Sequence, residues 1–180
     1  MFRLELDPKI EDPRLNELWR QIAKVSRQMQ SPPVCRVIKS GTQSLTSGNV
    51  ATLAFPTTSS SGAAWDSHAY WDTSNNRYLP TDFSGYWRFT AKARFLTFSA
   101  APSRCIVNVR RNGSSYSSVE DYIQNTAHTL TLCVSDQVYL NGATDYVDVQ
   151  VLSESANATV DDDSFYTSLS IEYVGADQVR

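Results

Sequence analysis

Apolar and polar residues alternate along most of this chain, and its N-terminal segment is the exception. From Asp12 the run DPRLNELWRQIAKVSRQMQ sets Leu15, Leu18, Ile22, Val25 and Met29 three and four residues apart in turn. That is the a/d spacing of a heptad seam on one helix. Asp12 suits an N-cap, and Pro13 suits the first helical position because it has no N–H to leave unpaired. The seam lasts two heptads, which is marginal for a helix alone in water. It needs either partner helices in a bundle across copies or its own domain to lie on, and Trp19 beside it could seal either contact. Met1 to Glu11 alternates over FRLEL and then meets Asp7-Pro8, so it reads as an extended arm. Ser31-Pro32-Pro33 stops the helix, since proline cannot continue it and pushes the preceding residue to extended geometry. The first part is therefore 1–31.

After that boundary the period changes to two. Cys35 to Lys39, Val50 to Phe55, Tyr78-Leu79 and Tyr86 to Phe95 read as strands, as do Cys105 to Arg111, Thr129 to Val134, Gln137 to Leu140, Tyr146 to Leu152 and Phe165 to Val174. Turn residues separate them, and Asn112-Gly113 is the sharpest, a tight-hairpin signal. Asn112 to Asn125 as a whole reads as a loop, as does Thr57 to His68. Many short strands with regular turns predict an antiparallel sandwich or barrel.

Composition narrows the function more than the fold. The chain has 180 residues, enough for one domain plus an appendage, and a net charge of −3. Without a basic field it has little to offer a phosphate backbone, which speaks against nucleic acid. No run approaches the ~18 apolar residues of a membrane span, and no apolar stretch near Met1 resembles a signal peptide. Cys35, Cys105 and Cys133 fit no zinc spacing and read as buried free thiols. His68 and His128 belong to no metal or catalytic motif, and neither a G-x-S-x-G nor a phosphate loop occurs. An enzyme is not expected.

Four stretches in order then point to a family. They are YWDTSNNRYLPTDFSGYWRF from Tyr70 to Phe89, VNVRRNG from Val107 to Gly113, LTLCVSDQVYLNG from Leu130 to Gly142, and DDSFYTSLSIEYVG from Asp162 to Gly175. Together they resemble the globular head of complement C-one-q and its tumour-necrosis-factor-like relatives. Ser84 stands where that family usually has proline, and Ser135-Asp136 stands for its Gly-Asp. The resemblance implies a mainly β fold, an antiparallel jelly-roll sandwich over 34–175 that assembles as a homotrimer, preceded by the arm and one short coiled-coil-like helix. The chain shows no Gly-X-Y stalk. The layout of arm, helix and head is similar to tailed-phage virion proteins that carry this head. By that resemblance 1–31 docks on another virion protein of the tail, baseplate or capsid, and the head points outward. Two roles stay open: a fibre, spike or tail-tip head that binds the host surface, and a capsid fibre or decoration protein with an assembly role.

Candidate ligand sites follow from side-chain chemistry. Ring faces beside amides and hydroxyls suit sugars, so a host-surface glycan would be sought at Trp65, His68, Tyr116 and Tyr122, with Tyr70 and Trp71 nearby. Asp161, Asp162 and Asp163, with Asp145, Asp148 and Glu154, offer oxygen ligands to a hard cation such as calcium. Some heads of the family hold calcium, although a solvated acidic loop explains such a run as well.

Overall fold

The structure is a computed structural model that describes residues 12–30, 32–56 and 64–175. The expected arm, Met1 to Glu11, lies outside the described residues. The chain divides into two units, Met1–Pro33 and Val34–Arg180.

In the first unit, helix α1 runs Pro13–Gln30. Asp12 caps it: its Oδ1 accepts the Arg14 N–H at 2.8 Å, and its carbonyl accepts the Asn16 N–H at 3.1 Å. Leu15, Leu18 and Ile22 are 46%, 51% and 41% exposed, so the first part of the expected seam carries its aliphatic side chains in solvent. The side chains of Val25 and Met29 lie outside the description. Among the described residues no helix is long and apolar enough to cross a membrane.

The second unit is all β. Its strands are β1 Val34–Ile38, β2 Gln43–Ser44, β3 Val50–Thr52, β4 Trp65–Asp66, β5 Trp71–Asp72, β6 Arg77–Tyr78, β7 Gly85–Leu96, β8 Ser103–Arg111, β9 Ser114–Ile123, β10 Leu130–Leu140, β11 Val147–Ser153, β12 Thr159–Val160 and β13 Ser168–Gly175. They form two antiparallel sheets. Sheet A is ordered β2-β12-β7-β13-β1-β4, with β10 also paired to β7. Sheet B is ordered β5-β6-β11-β8-β9, with β3 also paired to β11. Alternation along β7, β8 and β11 turns every second residue inward. The buried core therefore takes Trp87, Phe89 and Phe95 from sheet A and Val107, Val109, Val149 and Val151 from sheet B.

Several expected boundaries move, each for a local reason. Thr129 to Val134 and Gln137 to Leu140 are one strand, β10. Ser135 and Asp136 stay in register with Thr90 and Phe89, and the Ser135 hydroxyl bonds the Phe89 carbonyl at 2.9 Å. A polar pair does not end a strand whose ladder continues. The expected loop after Asn112-Gly113 is instead strand β9. SSYSSVEDYI has little period-two apolarity because both of its faces are largely open, and pairing with β8 makes it a strand. Asn112 and Gly113 do form the tight turn, with φ of 52° and 78°. Phe165 to Thr167 is a turn rather than strand, because Asp163 Oδ1 accepts the Phe165 N–H at 2.8 Å and the Asp163 carbonyl accepts the N–H groups of Tyr166 and Thr167. Gly85, in the Ser84-Gly85 break, holds φ at 146°, and a Cβ there would lie 2.3 Å from the Gly175 carbonyl. Only glycine lets β7 start against the end of β13.

Candidate functional site

The four candidate glycan residues do not converge. Trp65, 44% exposed, stands on edge strand β4 with the Arg36 guanidinium 5.7 Å from its ring centroid. His68 is half-buried between the rings of Tyr70 and Phe83, at 5.5 and 5.3 Å, with its Nδ1 2.8 Å from the Ser67 hydroxyl. Tyr116 lies in a bulge of β9, between the positions paired with Val109 and Arg110. Its hydroxyl donates to the Gln137 carbonyl at 2.6 Å, and its ring meets Phe89 edge-on at 6.3 Å. It ties the edge of sheet B to the edge of sheet A. Tyr122 pairs with Arg104 on sheet B and is 48% exposed. Tyr70 and Trp71 are buried, and the Tyr70 hydroxyl donates to Asp82. Residues 57–63 of the expected Thr57 to His68 loop lie outside the described residues.

The acidic residues are already committed to partners. Asp161 pairs with Arg94, and Asp163 lies 3.6 Å from the same guanidinium, which stacks 3.9 Å from the Tyr166 centroid. Asp148 takes both forks of Arg110, at 2.6 and 2.7 Å. Glu154 pairs with Arg104 at 3.0 Å. Asp162 is exposed, and its charge faces the buried Lys39, whose ammonium burial lowers below the ordinary lysine range. Among the described residues no three His, Cys, Asp or Glu side chains gather as a metal site. At Asp161, Asp162 and Asp163, where a cation was expected, the run is an ion pair, a solvated carboxylate and a turn acceptor in turn. The thiols divide as well. Cys35 and Cys105 are buried and their pKa values raised by burial, Cys105 to about 11, whereas Cys133 is exposed.

Asp145 fixes the turn after β10. Burial opposes its charge, but Asn112 Nδ2 at 2.7 Å, Arg111 at 2.6 Å and the Asn141 N–H at 3.0 Å outweigh it and hold the carboxyl below the usual range. A depressed folded pKa stabilises the fold above the unfolded value of about 3.9 and loses that contribution as pH falls through the folded value. Asp145→Asn is therefore expected to be less stable than wild type near neutrality, by about 1–3 kcal/mol for the lost charged bonds. The gap should close as pH drops below about 4. Urea midpoints of both proteins across that range measure it.

What the fold does gather is an outward face on sheet A. Alternation places Tyr86, Arg88, Thr90, Lys92 and Arg94 of β7 on it. Tyr86 meets Tyr139 at 5.6 Å, Arg88 pairs with Glu172 at 3.0 Å, and Thr90 bonds Ser135 at 3.0 Å. Lys92 donates to the Phe165 carbonyl at 3.3 Å. Between Trp65 and the Arg88–Glu172 pair lies a hollow of about 280 Å³. Phe165 is 77% exposed, and Trp65, Tyr86 and Tyr166 are each exposed by more than two-fifths. Phe165, Tyr166 and Tyr86 were absent from the expected site. The alternation from Tyr86 to Phe95 could have placed Tyr86 on the open face, because Trp87 and Phe89 must then point inward. Nothing in the sequence marks Phe165 as a turn residue except the acidic run before it.

No family model matches the chain, and no curated protein matches it. Among solved structures the chain is similar to murine APRIL at pH 5.0, with a TM-score of 0.57 and 10% identity, covering 80% of this chain and 100% of that one. Murine APRIL at pH 8.0 gives a TM-score of 0.55 and 11% identity, with the same coverages. The likeness is one of fold: an antiparallel, tumour-necrosis-factor-like jelly roll.

Proposed function

We propose that this chain is a non-catalytic virion appendage subunit whose head assembles as a homotrimer through the outward face of sheet A and presents its remaining surface to the host. The observation that carries the reading is the set of exposed rings distributed over that face, Trp65, Tyr86, Phe165 and Tyr166. A monomer leaves these large rings in water, spread among paired polar groups, and exposed aromatics of this kind are enriched at association surfaces. The polar groups among them are already paired within the chain, as Arg88–Glu172 and Thr90–Ser135, so covering the face leaves few unmet bonds. The helix seam Leu15, Leu18 and Ile22 suits a bundle of the same three copies, with 1–31 docked on another virion protein. Three heads held together bind weak ligands by avidity, which is the demand on a host-adhesion protein.

A second reading, a capsid fibre or decoration protein, draws on a specific observation. Tyr116 and His68 are engaged in packing, which leaves fewer free rings for a glycan. Antibody against the head, applied to particles of the virus that encodes it, tests the shared premise and separates the two readings. Label at a tail or fibre tip supports adhesion, label over the capsid supports decoration, and unlabelled particles overturn both.

A further inference from the structure

With sheet A covered, the broad surface left open is the outward face of sheet B, and its register sorts side chains into bands. One row crosses the sheet as Ile106, Leu152 and Val50, from β8 to β11 to β3. The next row runs Ser118, Asn108, Gln150 and Thr52. The rows meet in a hollow of about 210 Å³ lined by Val50, Ile106, Leu152, Asn108, Ser118 and Gln150, with Ser115 at its rim. The floor is aliphatic and the wall is amide and hydroxyl.

The lining holds no ionisable group. The charges nearest to it on the face are engaged in ion pairs. Arg110 is bound by Asp148, Arg77 by Asp72 at 3.1 Å, and Arg104 by Glu154 and Glu120. Arg104 carries two carboxylates, one of them in excess, so an anionic ligand is opposed here, whereas a neutral one loses nothing. The Ser115 hydroxyl bonds Asn108 Oδ1 at 2.9 Å, which fixes that amide and leaves its NH₂ to donate. The Gln150 amide and the Ser118 hydroxyl have no hydrogen-bond partner among the described residues.

We infer that this hollow is a binding site for a single neutral sugar ring, whose C–H face lies on Ile106, Leu152 and Val50 and whose hydroxyls bond Asn108, Gln150 and Ser118. The volume is below the roughly 300–1,000 Å³ of drug-sized sites, so it seats one ring, and affinity per site is weak. The inference rests on the assembly reading, because the trimer keeps this face open and multiplies it. It also moves glycan recognition from the expected loops to a strand surface.

The test is a titration of the full-length protein with methyl glycosides of glucose, galactose and N-acetylglucosamine, with N-acetylneuraminic acid as the anionic control. Backbone amide shifts are followed in wild type and in an Asn108→Leu/Gln150→Leu variant. The expected result is that at least one neutral glycoside shifts Ile106, Asn108, Ser118 and Gln150, and that the variant binds it about tenfold or more weakly, two hydrogen bonds being lost. The site is overturned if no neutral glycoside moves these amides, if the variant responds as wild type does, or if only the anionic sugar binds. Particle mass in the same samples keeps the two readings apart. A trimer that ignores neutral sugars removes the site alone, and a monomer that binds them removes the assembly reading and keeps the site.

Discussion

Trp87→Ala is expected to destabilise the head by about 3–5 kcal/mol, the range for truncating a buried aromatic. Trp87 is fully buried at the centre of sheet A. Its ring meets Tyr173 at 5.1 Å, Tyr78 at 5.3 Å and Tyr70 at 6.5 Å, all edge-on, the geometry that aromatic quadrupoles favour. Alanine leaves a void that the surrounding strands cannot close, because β7 is held in register by β10 on one side and β13 on the other. The Trp87 indole N–H has no hydrogen-bond partner among the described residues, so the loss is one of packing. Trp87→Phe, which keeps a ring and removes the unpaired donor, is expected to cost well under half as much. Guanidinium midpoints at one fixed protein concentration compare the three proteins, since association adds a concentration-dependent term to apparent stability.

The second large effect is on assembly. A Tyr86→Glu/Phe165→Glu variant is expected to be a folded monomer. Both side chains are exposed in the single chain, 42% and 77% respectively, so neither carboxylate disturbs the core. In a trimer joined through sheet A, both carboxylates would have to be desolvated, which costs several kcal/mol for a charge without a partner, as at position 86. The far-ultraviolet circular dichroism should match wild type, and the mass by light scattering should fall to one chain. Tyr122→Glu, on the outward face of sheet B, makes the same kind of change on a surface left open and is expected to stay trimeric.

The parts of the fold that were legible in the sequence are those where one local rule dominates. The alternation of Tyr86 to Phe95 marks β7 because one of its faces is wholly buried, and Asn112-Gly113 marks a hairpin because few other pairs take two positive φ angles in succession. Asp12 and Pro13 mark the helix start by capping chemistry. Strand β9 was not legible: Ser114 to Asp121 is largely open on both faces and is held by β8, a partner that no local pattern announces. The division of β10 was a false signal of the same kind, since Ser135 and Asp136 look like a turn until their ladder to β7 is known.

The candidate site was less legible than the fold. Ring types can be read from the sequence, but their directions depend on tertiary context. The bulge turns Tyr116 onto Gln137, His68 turns between Tyr70 and Phe83, and Trp65 stands on sheet A. The acidic run looked like a cation site because its arginine partners are far away in sequence. Arg94 is separated from Asp161 by five strands, β8 to β12, and only folding brings them together. The amide row Asn108–Gln150 was invisible for the same reason, as it exists only through the pairing of β8 with β11.

Trimeric assembly is the claim on which the adhesion reading and the open face of sheet B both depend. Multi-angle light scattering of the full-length protein, followed through serial dilution, tests it most directly. Trimeric assembly gives a mass of three chains that persists on dilution and falls to one chain in the Tyr86→Glu/Phe165→Glu variant. A wild-type mass of one chain at every concentration, or a double variant that remains trimeric, would contradict it.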